Sequence, residues 1–178
     1  NKGTFYLQSR DGAVFAYEMA VTKEVYDALT VGTRVGVVGY KSEWKGEIEI
    51  MDGTIFPIGG DTYVAEPVDI TDKLGTDELI NYQNQLVKFT DMKLKKIEYK
   101  NGKPGDDVYL TLTKGEGEYS FCIEIYLTGA DTELYKSLET LWTDDANNGN
   151  GDVVDIVCFL YWYDGANPHV IAIENINE

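Results

Sequence analysis

The chain holds one histidine, His169, and two cysteines, Cys122 and Cys158, and those three side chains set narrow limits on its chemistry. A single histidine supplies neither a histidine pair for a metal centre nor the partner set of a nucleophilic triad. His169 follows Pro168 at the start of a strand-like run. Both cysteines sit inside apolar runs and read as small buried thiols, so no disulfide framework is expected. Thirty-one acidic residues guarantee carboxylate pairs by chance, and no glycine-rich phosphate loop precedes a helix. The expectation is a noncatalytic chain with no cofactor.

Three patterns remain that could bind something. The loop around Asp144, Asp145, Asn147, Asn148, Asn150 and Asp152 is dense in oxygen ligands of the kind Ca²⁺ takes. Position five counted from Asp145 is Gly149, however, and no glutamate closes the loop, so Asp145, Asn147, Asn150 and Asp152 read as a polar turn and not as a metal site. Lys93, Lys95, Lys96, Lys100 and Lys103, with only Glu98 among them, form the one basic concentration. They could line a groove for single-stranded nucleic acid, but such a row more often marks a solvated edge that discourages strand pairing. The third pattern is aromatic. Strand phase turns Phe5, Leu7, Val14 and Ala16 inward and leaves Tyr6, Gln8, Phe15 and Tyr17 on the opposite face, with Tyr40 and Trp44 nearby. That set is the candidate ligand platform. The competing expectation is that the linker or a second unit covers these rings.

The elements that must position these residues begin with Thr4 to Gln8 and Ala13 to Met19, joined at Asp11-Gly12, a strong hairpin signal. Thr22 to Leu29 reads as a short helix capped by Thr22, with Val25, Tyr26 and Leu29 on one face. Thr33 to Ser42 is a Val- and Gly-rich strand, and Trp44-Lys45-Gly46 turns the chain. Glu47 to Met51 then alternates, which predicts Ile48 and Ile50 buried, Glu47 and Glu49 wet, and an end at Asp52-Gly53. From residue 61 to 82 the pattern weakens into an ordered linker with a short helix at Thr76 to Tyr82. The series then returns: Leu86 to Tyr99, Val108 to Thr113, Tyr119 to Leu127, a helix capped by Asp131 and carrying Leu134, Leu138, Leu141 and Trp142, then strands Val153 to Tyr163 and His169 to Ile176.

The two series superimpose. Tyr6 matches Tyr109, Val25 to Leu29 matches Leu134 to Leu138, and the run from Val35 matches the run from Val154. The second copy adds a long leading strand, Leu86 to Tyr99, with nothing to match it before Thr4. Five strands with a helix between the third and fourth is the order of the OB fold. The expected class is mainly β: two tandem OB-like Greek-key barrels, over 1–60 and 83–178, each with a short helix between strands 3 and 4, the first lacking its first strand. The run FYLQSRDGAVFAY, followed by VGTRVGVVGYKSEWKGEIEI, resembles OB-fold modules of secreted and surface-anchored bacterial proteins, lipoproteins and extracellular nucleases among them. The resemblance covers Gly3 to Ile55 and extends to Leu86 to Ile176 by repeat logic. It implies a noncatalytic binding or spacing module, at the cell surface or outside the cell and within a longer precursor.

A net charge of −16 and a pI near 4.3 repel phosphate backbones and anionic membranes, which disfavours nucleic acid as a partner. No run of about 18 apolar residues is present. The expected partner is a protein or a glycan, the latter through the aromatic face. Open edges on the first unit would also admit a strand from the linker or from another chain, giving a strand-addition dimer.

Overall fold

The computed structural model describes residues 1–103, 106–124, 132–141 and 151–177. The chain is mainly β and folds into two sheets, each with its own apolar core. The first comprises β1 (Lys2–Gln8), β2 (Ala13–Ala20), β3 (Val35–Trp44) and β4 (Glu47–Pro57), with α1 (Lys23–Ala28) between β2 and β3. Thr22 caps α1 as its sequence implies, its hydroxyl accepting from the Val25 N–H at 3.2 Å. The strand order is β1-β2-β4-β3, so β1 and β3 are both edges.

A short strand β5 (Val68–Asp69) and two short 3-10 helices, Thr71–Lys73 and Asp77–Tyr82, lead into the second sheet. The second stands where a short helix is expected; its core contribution is Leu79, which is buried with Ile70 against the second core. The linker is thus fastened to the unit that follows it. That unit contains β6 (Leu86–Tyr99), β7 (Val108–Lys114), β8 (Gly117–Ile123), α2 (Glu133–Leu141), β9 (Val153–Phe159) and β10 (His169–Glu174). Its order is β5-β6-β7-β8-β10-β9, and β6 also pairs with β9, which closes five of the strands into a barrel.

Closure decides how well each core is sealed. In the barrel, Phe89, Met92, Leu94, Leu110, Leu112, Phe121, Ile156 and the α2 residues Leu134, Leu138 and Leu141 are all buried. In the open sheet only Ala16, Met19, Val21 and Ile55 form the buried centre. Phe5, Leu7, Val25, Leu29, Val35, Val37 and Ile50 pack on it while remaining half-buried, because no strand covers them between the two edges.

Several expected boundaries shift. β4 does not stop at Asp52-Gly53 but continues to Pro57, with Asp52 at φ 51° and the β3–β4 register shifting between Val38 and Tyr40. A Cβ on Gly53 would lie 1.9 Å from the Val38 carbonyl oxygen, so glycine here permits two coiled strands to cross in close contact. Trp44 is the last residue of β3, leaving Lys45-Gly46 as the turn. β8 ends at Ile123 and β9 at Phe159, each earlier than alternation suggests. Asp131, Trp142, Tyr126 and the oxygen-rich positions Asp144 to Asn150 lie outside the described residues.

Gly53→Ala should therefore lower stability by about 1–3 kcal/mol, read from the urea midpoint, since the added methyl meets the β3 backbone at Val38 and Gly39 and the buried Met19 side chain.

Candidate functional site

Strand register places the candidate platform on one side of the first sheet. Tyr6 pairs with Phe15, Phe15 with Glu49, Ser42 with Glu49, Trp44 with Glu47 and Tyr40 with Met51. Directly paired residues share a face, so Tyr6, Gln8, Phe15, Tyr17, Tyr40, Trp44, Glu47 and Glu49 belong to a single outer surface. The structure then divides that surface in two.

One half is docked against the rim of the barrel. The Tyr6 ring stacks on Phe159 with centroids 4.3 Å apart and planes 8° from parallel. Its hydroxyl hydrogen-bonds His169 Nδ1 at 2.8 Å. Phe15 is buried, meeting Tyr161 edge-on at 5.3 Å, and Tyr161 in turn stacks on His169 at 4.5 Å. Gln8 Oε1 accepts from the Leu86 N–H at 2.8 Å. Tyr6, Gln8 and Phe15 therefore serve the contact between the two sheets, while Phe159 and Tyr161 face them from the other side.

At the centre of this contact the expected wet face of β4 is inverted. Glu47 is 0% exposed and Glu49 is buried, whereas Ile48 and Ile50 are half-exposed toward the open side of the sheet. Glu47 Oε1 accepts from Asn84 Nδ2 at 2.6 Å and Oε2 from the Trp162 N–H at 2.9 Å. Asn84 Nδ2 also donates to the Ile48 carbonyl, and Gln83 Nε2 to the Gly46 carbonyl. The Lys45–Asp164 ion pair at 2.9 Å finishes the rim. Loss of water raises the Glu47 carboxyl to about 7, against the lowering effect of its two donors. Sequence reasoning missed this residue because acids alternating with isoleucines normally face water. One signal was available: the same face carries Tyr6 and Phe15, and large rings beside carboxylates indicate a covered surface.

His169 is the second titratable group in the contact. Burial depresses it to about 4, so the ring is neutral. Its Nδ1 shares a hydrogen bond with the Tyr6 hydroxyl, and its Nε2 lies 3.6 Å from Glu124 Oε1. Cys122 and Cys158 are buried free thiols, Cys122 pushed up to about 12 by desolvation. Such thiols are poor nucleophiles. Among the described residues no group of three potential metal ligands comes together.

The other half of the outer face is open. Tyr40 is 74% exposed and Trp44 57%, with Tyr17 also exposed and Tyr163 beyond the Lys45-Gly46 turn. The lysine row is largely neutralised: Lys95 pairs with Glu118, Lys96 with Glu98 at 2.6 Å and Lys100 with Asp107 at 3.3 Å, while Lys93 stands exposed on β6. Asp152 accepts from Asn177 Nδ2 at 2.7 Å. No protein-family model, curated protein or solved structure matches the chain.

Glu47 and His169 pull the stability–pH curve in opposite directions. Glu47 binds more protons folded than unfolded, so its contribution falls as pH rises from about 4.5 to about 7. His169 binds fewer protons when folded, so its contribution rises between about 4 and 6.5. Each spans about 3 kcal/mol at full amplitude. Glu47→Gln should leave stability rising with pH from 4.5 to 6.5, and His169→Gln should leave it falling from 4.5 to 7. Urea midpoints across that range measure both slopes.

Proposed function

We propose that the chain is a noncatalytic binding and spacing module of a bacterial secreted or surface protein, made of two OB-like units held in fixed mutual orientation. The closed order β6-β7-β8-β10-β9, with a helix between its third and fourth strands, is that of an OB-type Greek-key barrel and supports the assignment. The first sheet repeats the order without the leading strand. The setting outside the cell rests on the resemblance of Gly3 to Ile55 to modules of such proteins.

The observation that carries the binding role is the division of one aromatic face. Its inner rings are spent on fixing the two units together, and its outer rings, Tyr17, Tyr40 and Trp44, stand in solvent on a rigid sheet. Tyr40 and Trp44 lie four residues apart on one strand and on one face, about 13 Å along it. That spacing suits a ligand presenting successive flat apolar surfaces: the sugar rings of a glycan or the side chains of a protein. The lysine strand gives nucleic acid less support, since three of its charges are balanced by neighbouring acids.

Titration with soluble oligosaccharides and with aromatic-rich peptides, followed by intrinsic fluorescence, tests this reading. A saturable change is expected, weakened about tenfold or more by Trp44→Ala or Tyr40→Ala with thermal stability unaltered. Absence of a saturable change with both panels would contradict the binding role.

A further inference from the structure

Glu47 and Glu49 stand two residues apart on one face of β4, and their carboxylates are treated differently. Glu47 is met on both oxygens by donors of the barrel unit. Glu49 is only 7% exposed, yet among the described residues no hydrogen bond or ion pair reaches it, and burial pushes its carboxyl up. Taking a carboxylate out of water without a donor or a cation costs stability. Such a group is left waiting for a partner from outside the chain.

Register sets what surrounds it. Glu49 pairs with Phe15 of β2 on one side and with Ser42 of β3 on the other. The β2 side is closed, because Phe15 is buried under Tyr161. The β3 side is open: Tyr40 and Trp44 lie two residues before and after Ser42 on the same face, each about 7 Å along the strand, and both are exposed. In the next row Met51 pairs with Tyr40, and the β2–β4 register sets Tyr17 on its far side. Tyr17 is pushed up by Glu18 first and by Glu49 as well; Tyr161 is pushed up to about 12 by burial, with Glu47, Glu49 and Glu124 adding to it. The Glu49 charge therefore lies within reach of both hydroxyls, at the floor of a cleft walled by rings.

Among the described residues, no cation of the chain answers this charge. Lys45, next to Trp44, pairs with Asp164 at 2.9 Å, and Lys2, on the Tyr17 side, pairs with Glu18 at 2.8 Å. We propose that the cleft takes an arginine side chain from a basic partner polypeptide, its guanidinium seated on the Glu49 carboxylate between the open rings of Tyr40 and Trp44. The inference rests on the binding role given to this face and names the chemistry that the face selects. A guanidinium fits better than an ammonium: its planar fork meets a carboxylate through two N–H groups, its flat faces stack on aromatic rings, and it sheds water more readily. The Ser42 hydroxyl offers an acceptor to a further N–H. A net charge of −16 draws a basic polypeptide toward the face before contact.

The probe is a short capped peptide of alternating glycine and arginine, with a citrulline twin that keeps the shape and loses the charge. Titrated into the full chain at low salt and followed by tryptophan fluorescence, the arginine peptide should bind saturably and the citrulline peptide about tenfold or more weakly. Glu49→Gln should cost the arginine peptide a similar factor, leave the citrulline peptide unchanged, and hold or raise the thermal midpoint, since it removes an unpaired buried charge. Ser42→Arg sets a guanidinium across from Glu49 within the chain and should block the arginine peptide. Equal affinity for the two peptides, or arginine binding that survives both substitutions, would overturn the cation site while the aromatic binding role stands. A glucosamine oligomer that binds where the arginine peptide does not would overturn the polypeptide partner in favour of a cationic glycan. Silence with every peptide and every oligosaccharide would overturn the site and the binding role together.

Discussion

Taking a carboxylate out of water costs several kcal/mol unless its oxygens are met by donors, and Glu47 is met on both. One donor, Asn84, belongs to the segment that opens the barrel, and the other, the Trp162 N–H, follows β9. Neither is available unless the two sheets are seated against each other. Docking and burial are therefore one event: separated, Glu47 would be an ordinary surface acid; joined, it is held by two elements of the neighbouring unit. The rings about it supply the apolar area, with Tyr6 on Phe159 and Phe15 on Tyr161 excluding the water that would weaken those bonds.

This contact explains why the two units can differ so much in completeness. The barrel seals its core by pairing β6 with both neighbours, and stands as a finished support. The open sheet has a small buried centre and gains much of its cover on the outer face, from the barrel rim, instead of on the inner one. A sheet anchored from outside can hold together with its inner residues only half-buried. The same anchoring leaves β3 projecting with Tyr40 and Trp44 in solvent.

The element order was legible in the sequence because it rests on local signals: alternation in β1 and β2, Asp11-Gly12 at their turn, Thr22 capping α1, and the fourteen-residue strand β6. The repeat followed from those signals. Alternation also assigned Tyr6, Gln8, Phe15 and Tyr17 to the correct common face. What alternation does not encode is which face another unit will cover, and so Glu47 and Glu49 were placed in water. The partition of the platform, with Tyr6 and Phe15 covered and Tyr40 and Trp44 open, depends on contacts more than 140 residues apart in the chain. Local pattern is silent at that range. The run of β4 past Asp52-Gly53 was hidden for a related reason: a turn-like dipeptide served as a bulge where β3 crosses close above it.

The joining of the two units is tested most directly by a double-mutant cycle on Tyr6→Ala and Phe159→Ala, with equilibrium unfolding of the full chain as the readout. Stacked at the centre of the contact, the two rings should show a coupling of about 1 kcal/mol or more. Strictly additive losses would mean that the rings do not meet, and that the face carrying Glu47 is not buried against the barrel.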